Sequence, residues 1–205
     1  ELTDRGVTDE MMSGAKELAA NCPVMTGTAW RRIAGWAIGV SGWSFGGEVT
    51  VRPELILIGA PHSSDWDGIR GWLMKVASGL DLGIMIKREV FEGPFGPVVR
   101  RLRMIPIDRK AATNVVDQMV RRFATHRSMW LGIMPEGTRK PVTQWKSGFL
   151  RIARASGVPI QPVFIDYPTR TFTLGPLVHA SADPDCDLSR VRAMLAGYQR
   201  KHRDA

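Results

Sequence analysis

Three short stretches carry residues able to do acid–base and anion chemistry: His62 to Asp67, Asp108-Arg109, and Pro135-Glu136-Gly137-Thr138-Arg139. A histidine held by a carboxylate can take the proton of a hydroxyl, because the carboxylate orients the ring and stabilises its charged form. Arginine forks match the geometry of a phosphate. A base beside such an anchor suggests attack by a hydroxyl on a molecule that also carries a phosphate. Each piece alone has a blander reading. A lone histidine is usually structural, Arg139 could be a surface charge, and Glu136-Gly137-Thr138 could be only a turn that caps a helix. Asp65 competes with Asp67 as the histidine's partner, although capping or solvent contact suits it better.

What positions these residues is the alternation around them. Leu55-Ile56-Leu57-Ile58-Gly59 is apolar throughout and reads as a buried strand. After it, Ile69, Trp72, Leu73, Val76 and Leu80 fall at helical spacing. Ser63 or Ser64 is a ready N-cap, with Asp65 and Asp67 in the first turn, where the helix dipole favours anions. His62 therefore belongs on a loop from a strand's C-terminal end to a helix, the edge where α/β sheets bind ligands. Helical side chains lean toward the N-terminus, so Asp67 can point back at His62.

Further strands are expected over 82–86, 104–107 (an edge or short strand, because of Pro106), 129–134, 159–165 and 171–174. Helices are expected over 98–103 (short and basic), 112–125 and 145–155. A last helix capped by Asp187 shares Leu188, Val191, Leu195 and Tyr198 on one face. The Gly- and Pro-rich run 87–97 reads as a shaped loop. The alternation predicts an α/β fold: a mixed, mainly parallel twisted sheet flanked by helices, with an N-terminal helical arm. The expected division is 1–46 for the arm and 47–205 for the α/β domain.

Within the arm, 28–45 has a helical stripe of Trp30, Ile33, Ala37, Val40 and Ser44, with Trp36 and Trp43 beside it and Arg31-Arg32 at its start. Its uncharged run is too short to span a bilayer, which takes roughly 20 residues. Either the helix lies in a membrane interface or it packs its tryptophans onto the core. Gly42-Trp43-Ser44-Phe45-Gly46 matches G-x-S-x-G, but a nucleophile elbow needs a strand before the serine and a helix after it. Here the order is reversed, with the strand-like run 48–51 following.

At 205 residues, 44% hydrophobic and 23% charged, the chain suits one globular domain. Cys22 and Cys186 make neither a disulfide framework nor a zinc site, and a reducing compartment fits. No signal-peptide pattern is visible, and a start at Glu1 rather than Met leaves room for an upstream segment. The net charge is +8, and half of the excess lies in 87–110, where seven basic residues face three acidic ones. That density suits a phosphate-bearing ligand, an anionic membrane or nucleic acid, although no nucleic-acid motif accompanies it.

Five blocks in order give a resemblance. His62 and Asp67 match H-x-x-x-x-D. Lys87-Arg88-Glu89 with Pro94-Phe95-Gly96 looks like a basic-x-Glu segment and Pro/Gly turn. Ile105-Pro106-Ile107-Asp108-Arg109, Pro135 to Arg139, and Val158 to Val163 follow. Over roughly 48–180 the chain resembles the glycerolipid acyltransferases of the 1-acylglycerol-3-phosphate type. Pro61 stands where Asn commonly precedes the family histidine. The resemblance implies transfer of a fatty acyl group from acyl-CoA or acyl carrier protein, as co-substrate and with no cofactor or metal, to a hydroxyl of a lysophospholipid acceptor. His62 would be the base and Asp67 its partner. Arg109, Glu136, Gly137, Thr138, Arg139, Lys87 and Lys146 would bind substrate, the arginines holding the acceptor phosphate. The expected setting is the inner face of the plasma membrane, with the membrane surface as partner and no nucleic acid.

Two rivals remain at this point. One is a metal-dependent hydrolase with His62, Asp65 and Asp67 as ligands, although no second cluster completes such a site. The other is a membrane- or nucleic-acid-binding module that uses only the basic stretch, the latter without a motif to support it. Within the acyltransferase reading, another lysolipid, a glycolipid or an amine could also be the acceptor.

Overall fold

The computed structural model describes residues 28–47, 50, 52–60, 65–107, 112–126, 128–137 and 145–195. The elements run α1 (Thr28–Val40), β1 (Ser44–Gly46), β2 (Glu54–Ala60), α2 (Asp65–Ser78), β3 (Leu82–Lys87), α3 (Arg88–Glu92), α4 (Gly96–Arg101), β4 (Ile105–Ile107), α5 (Ala112–Thr125), β5 (Met129–Ile133), α6 (Gly148–Ser156), β6 (Ile160–Asp166), β7 (Thr171–Leu174) and α7 (Pro184–Leu195).

The strands form one seven-stranded sheet in the order β1-β7-β6-β2-β5-β3-β4. Every neighbouring pair is parallel except β6 and β7. The apolar run of β2 lies at its middle, with Leu55, Ile56 and Ile58 fully buried, as a strand covered on both faces requires.

The chain steps in one direction along the sheet from β2 to β3 to β4, then back from β4 to β5 to β6. Right-handed crossovers therefore put α2, α3 and α4 on one face and α5 and α6 on the other. We call these the front and back layers. The back layer closes the larger core: Met119 and Phe123 of α5, Phe149 and Ile152 of α6 and Val191 of α7 join Ile56, Ile58 and Leu131 of the sheet. In front, α1 packs on α2 and on the sheet through Ile38, which meets Leu73, Ile165 and Phe172 around Trp43.

The expected α/β class and mainly parallel sheet are observed. Several local expectations are corrected. The 28–45 helix stops at Val40, because Gly42 turns the chain at φ +71°, and Ser44–Gly46 becomes a strand paired with β7. The loop expected over 87–97 contains a helical turn, Arg88–Glu92. The helix expected from 145 begins at Gly148. The last helix is capped by Asp183, whose Oδ1 accepts from the N–H groups of Asp185 and Cys186 at 3.0 Å each. Asp187 is instead buried inside the first turn, where it accepts from Arg190 and from the Ser181 N–H. The strand-like run 48–51 lies largely outside the described residues, as does Tyr198.

Candidate active site

The carboxyl ends of β2, β5, β3 and β4 lie along one edge of the sheet. Ile58 pairs with Ile133, and Lys87 pairs with Ile107. The chain leaves β2 and β3 into front-layer helices but leaves β5 toward the back layer. Loops that part to opposite faces open a crevice between them, the usual ligand site of such sheets. The stretches singled out for chemistry all begin at this edge. Residue 62 follows β2 by two positions, residue 109 follows β4 by two, and Glu136 follows β5 by three.

Two glycines let the loops approach. A Cβ added at Gly59 would lie 3.0 Å from Met134 Sδ and 3.1 Å from its Cε. Glycine here lets Met134, just past β5, lie against the end of β2. Pro135 and Glu136 are buried, Glu136 to 2% exposure. The Gly137 N–H then donates to Met134 O at 3.0 Å, closing a turn that needs φ +64° at Gly137.

The far end of this loop returns to its start. The Lys146 N–H donates to Pro135 O at 2.9 Å. Its side chain crosses Gly137, with Cε and Nζ 3.1 and 3.3 Å from where a Cβ would stand. Trp145, next to it, packs against the back core, and the Arg192 guanidinium lies 5.7 Å over its ring. Pro135–Gly137 and Trp145–Lys146 are thus tied to each other by a hydrogen bond and close packing.

The structure therefore brings Glu136, Gly137 and Lys146 together. Lys87 is exposed at the end of β3 on the same edge, two strands from β2. α2 begins at Asp65, so Asp67 is in its first turn, as expected; its side chain is not among those described. His62, Arg109, Thr138 and Arg139 lie outside the described residues. So do Ser63 and Ser64, the expected caps.

Ser44 is not on an elbow. It sits on edge strand β1, its hydroxyl 3.2 Å from that of Thr171. Among the described residues no group of three or more His, Cys, Asp or Glu could hold a metal ion.

Sequence reasoning missed two residues that build this part of the fold. Arg70 lies one turn on from Asp67, and its guanidinium is stacked 4.8 Å over the Trp43 ring, fixing the start of α2 against the front core. Nothing in the local spacing marks it, since its partner, Trp43, lies far back in the chain. Lys75 is a buried lysine whose Nζ donates to Leu102 O at 2.7 Å, tying α2 to the end of α4. Burial pulls its pKa down to about 8, Asp81 opposing and Arg103 assisting. Nothing in the local pattern marks it, since its partner is a backbone carbonyl 27 residues away.

Three likenesses bear on this arrangement. The acyltransferase family model matches residues 45–166, more than half of the chain. A 1-acyl-sn-glycerol-3-phosphate acyltransferase of Pseudomonas aeruginosa is 27% identical over 153 residues, which is 64% of this chain and 56% of that protein. The chain thus spans little more than half of that relative's length. The solved structure of the 1-acyl-sn-glycerophosphate (LPA) acyltransferase PlsC from Thermotoga maritima superposes with a TM-score of 0.58. It covers 84% of this chain and 80% of that one at 14% identity, a likeness of fold. The matched segment runs from β1 to the end of β6 and takes in the crevice and every loop around it: this chain belongs to the acyltransferase family.

Proposed function

We propose that the chain transfers a fatty acyl group from acyl-CoA or acyl carrier protein to the free hydroxyl of 1-acylglycerol-3-phosphate, giving phosphatidic acid. The observation that carries the reading is that β2, β4 and β5, the strands that precede His62, Arg109 and Glu136 in the chain, end along one edge of the sheet, in a chain of this family. The P. aeruginosa relative and its named substrate favour this acceptor over other lysolipids.

In the proposed reaction His62 takes the proton of the acceptor hydroxyl as that oxygen attacks the thioester carbonyl. The C–O bond forms, the tetrahedral oxyanion collapses, and the C–S bond breaks. The departing thiolate receives the proton from the imidazolium. Asp67 holds the ring and stabilises its charged form. Arg109 and Arg139 grip the acceptor phosphate, with Lys87 and Lys146 adding positive charge at the same edge. Buried Glu136, with Gly137 and Thr138 after it, shapes the loop that presents Arg139. No metal or cofactor takes part.

We further propose peripheral attachment at the inner face of the plasma membrane through the 1–46 arm. Trp30, Ile33, Trp36 and Val40 of α1 are all exposed, while Ala34 and Ile38 face the core. An outward apolar stripe with tryptophans suits a membrane interface. No helix among the described residues is long and apolar enough to cross a membrane.

Thiol release from palmitoyl-CoA tests the function. Acceptor-dependent release is expected with lysophosphatidic acid and not with lysophosphatidylcholine or lysophosphatidylethanolamine. Release with one of those instead would move the acceptor, and release from no donor, acyl carrier protein included, would overturn the reading.

A further inference from the structure

We propose that the α3–α4 corner is a second membrane contact, which seats on an anionic bilayer together with α1 and turns the whole front layer toward the lipid. The inference rests on the peripheral-membrane reading above and adds a site on a different part of the chain.

The described residues include six exposed large hydrophobic side chains. Four are on α1 and the other two, Phe95 and Val98, are on the corner. Phe95 is 66% exposed and Val98 53%. All six lie on the front layer; the back-layer helices α5, α6 and α7 contribute none. Chance scatter over the surface would not divide this way.

The two patches belong to one rigid layer. Ile38 and Leu73 join α1 to α2, and Lys75 joins α2 to the end of α4. The corner itself is firm. The Arg100 guanidinium donates to Phe91 O at 2.8 Å, and the Gly96 N–H donates to Gly93 O at 2.9 Å. The backbone on either side of the exposed Phe95 is thus held in place.

Charge selects the partner. Arg100 and Arg101 are exposed beside Val98, and Arg32 is exposed on α1. Apolar side chains flanked by arginines match anionic headgroups above an acyl region. An acidic carrier protein would answer the arginines but not the Trp–Ile–Trp–Val stripe, so the bilayer is the occupant argued for. Two separated contacts also fix orientation, which one amphipathic helix cannot. With the front layer down, the crevice at the sheet edge opens at headgroup level, where the acceptor's phosphate lies.

The test uses the full chain with vesicles of phosphatidylglycerol and phosphatidylcholine, and with phosphatidylcholine alone. Phe95→Ser with Val98→Ser removes the apolar contact, and Arg101→Glu reverses one charge. All of these side chains are exposed, and thermal unfolding checks that the variants fold as the wild type does. The double variant is expected to bind anionic vesicles roughly tenfold more weakly, the loss of about one buried aromatic contact. Arg101→Glu is expected to weaken anionic-vesicle binding by about fivefold or more and to leave phosphatidylcholine binding unchanged.

Wild-type affinity for anionic vesicles in either folded variant overturns the proposal. So does a loss confined to acyl carrier protein binding. Thiol release with a short-chain, monomeric lysophosphatidic acid separates this from the functional reading, since it is expected to be equal in wild type and variants. Its absence in the wild type would count against lysophosphatidic acid as the acceptor while leaving the vesicle result to judge the docking.

Discussion

The two helical layers treat the sheet differently. The back layer buries a continuous core in which Phe149, Leu150, Ile152 and Ala153 of α6 are each 2% exposed or less. The front layer seals only smaller clusters, around Ile38–Trp43 and around Leu55–Trp130, and leaves apolar side chains facing outward. One face of the sheet is closed, and the other carries the exposed apolar side chains that the proposed membrane contact would use. On that reading stability and membrane contact are drawn from opposite sides of the same strands, and substitutions on the two sides should separate them.

The largest effect on stability is expected from Phe149→Ala, at about 3–5 kcal/mol by chemical denaturation, because a buried aromatic leaves a cavity. Trp36→Ala, on the exposed stripe of α1, should stay within about 0.5 kcal/mol. Equal losses from the two would erase the distinction between the layers. Between them falls Gly59→Leu at the crevice. The added side chain meets Met134, so a cost of about 1–3 kcal/mol is expected from overpacking, accompanied by a drop in acyl transfer as the loops are pushed apart. Full activity in a folded Gly59→Leu protein would mean that this contact does not set the site. Gly137→Ala should cost roughly 1–2 kcal/mol for its left-handed backbone, with Gly137→Asn milder because asparagine tolerates that region.

A different kind of effect is a pH dependence in the front layer. The folded pKa of Lys75 is lowered to about 8. Between that value and the unfolded pKa of about 10.4 the unfolded chain binds more protons, so stability rises with pH through this window as the burial penalty on the charged amine is relieved. The wild type should therefore gain on Lys75→Met as pH rises from 8 to 10. A constant difference between the two would remove the buried charge from the account.

Elements governed by local periodicity were legible in the sequence. The helix 112–125 was read with its observed bounds, because Val116, Met119 and Phe123 repeat on the face that is buried. Elements made by distant partners were not. β1 looked like the end of a helix because its pairing partner, β7, lies 127 residues away at Ser44–Thr171. The insertion of β5 between β2 and β3 is likewise a property of the sheet, not of any stretch of chain. The candidate site was legible as strand-end loops, since an apolar run followed by polar residues marks a strand's end. Which loops adjoin followed only from the strand order. The outward turn of Trp30 and Trp36, against the inward turn of Trp43, was undecided by the stripe, which looks the same facing lipid or core.

The most direct test of the central claim, that the base sits on the β2–α2 loop of this crevice, compares thiol release from palmitoyl-CoA with lysophosphatidic acid in the wild type, His62→Ala and Asp67→Asn. The proteins should be matched for thermal unfolding. The account predicts that His62→Ala loses about 10²-fold or more of the acceptor-dependent rate, with Asp67→Asn intermediate. A His62→Ala protein as fast as the wild type would contradict it.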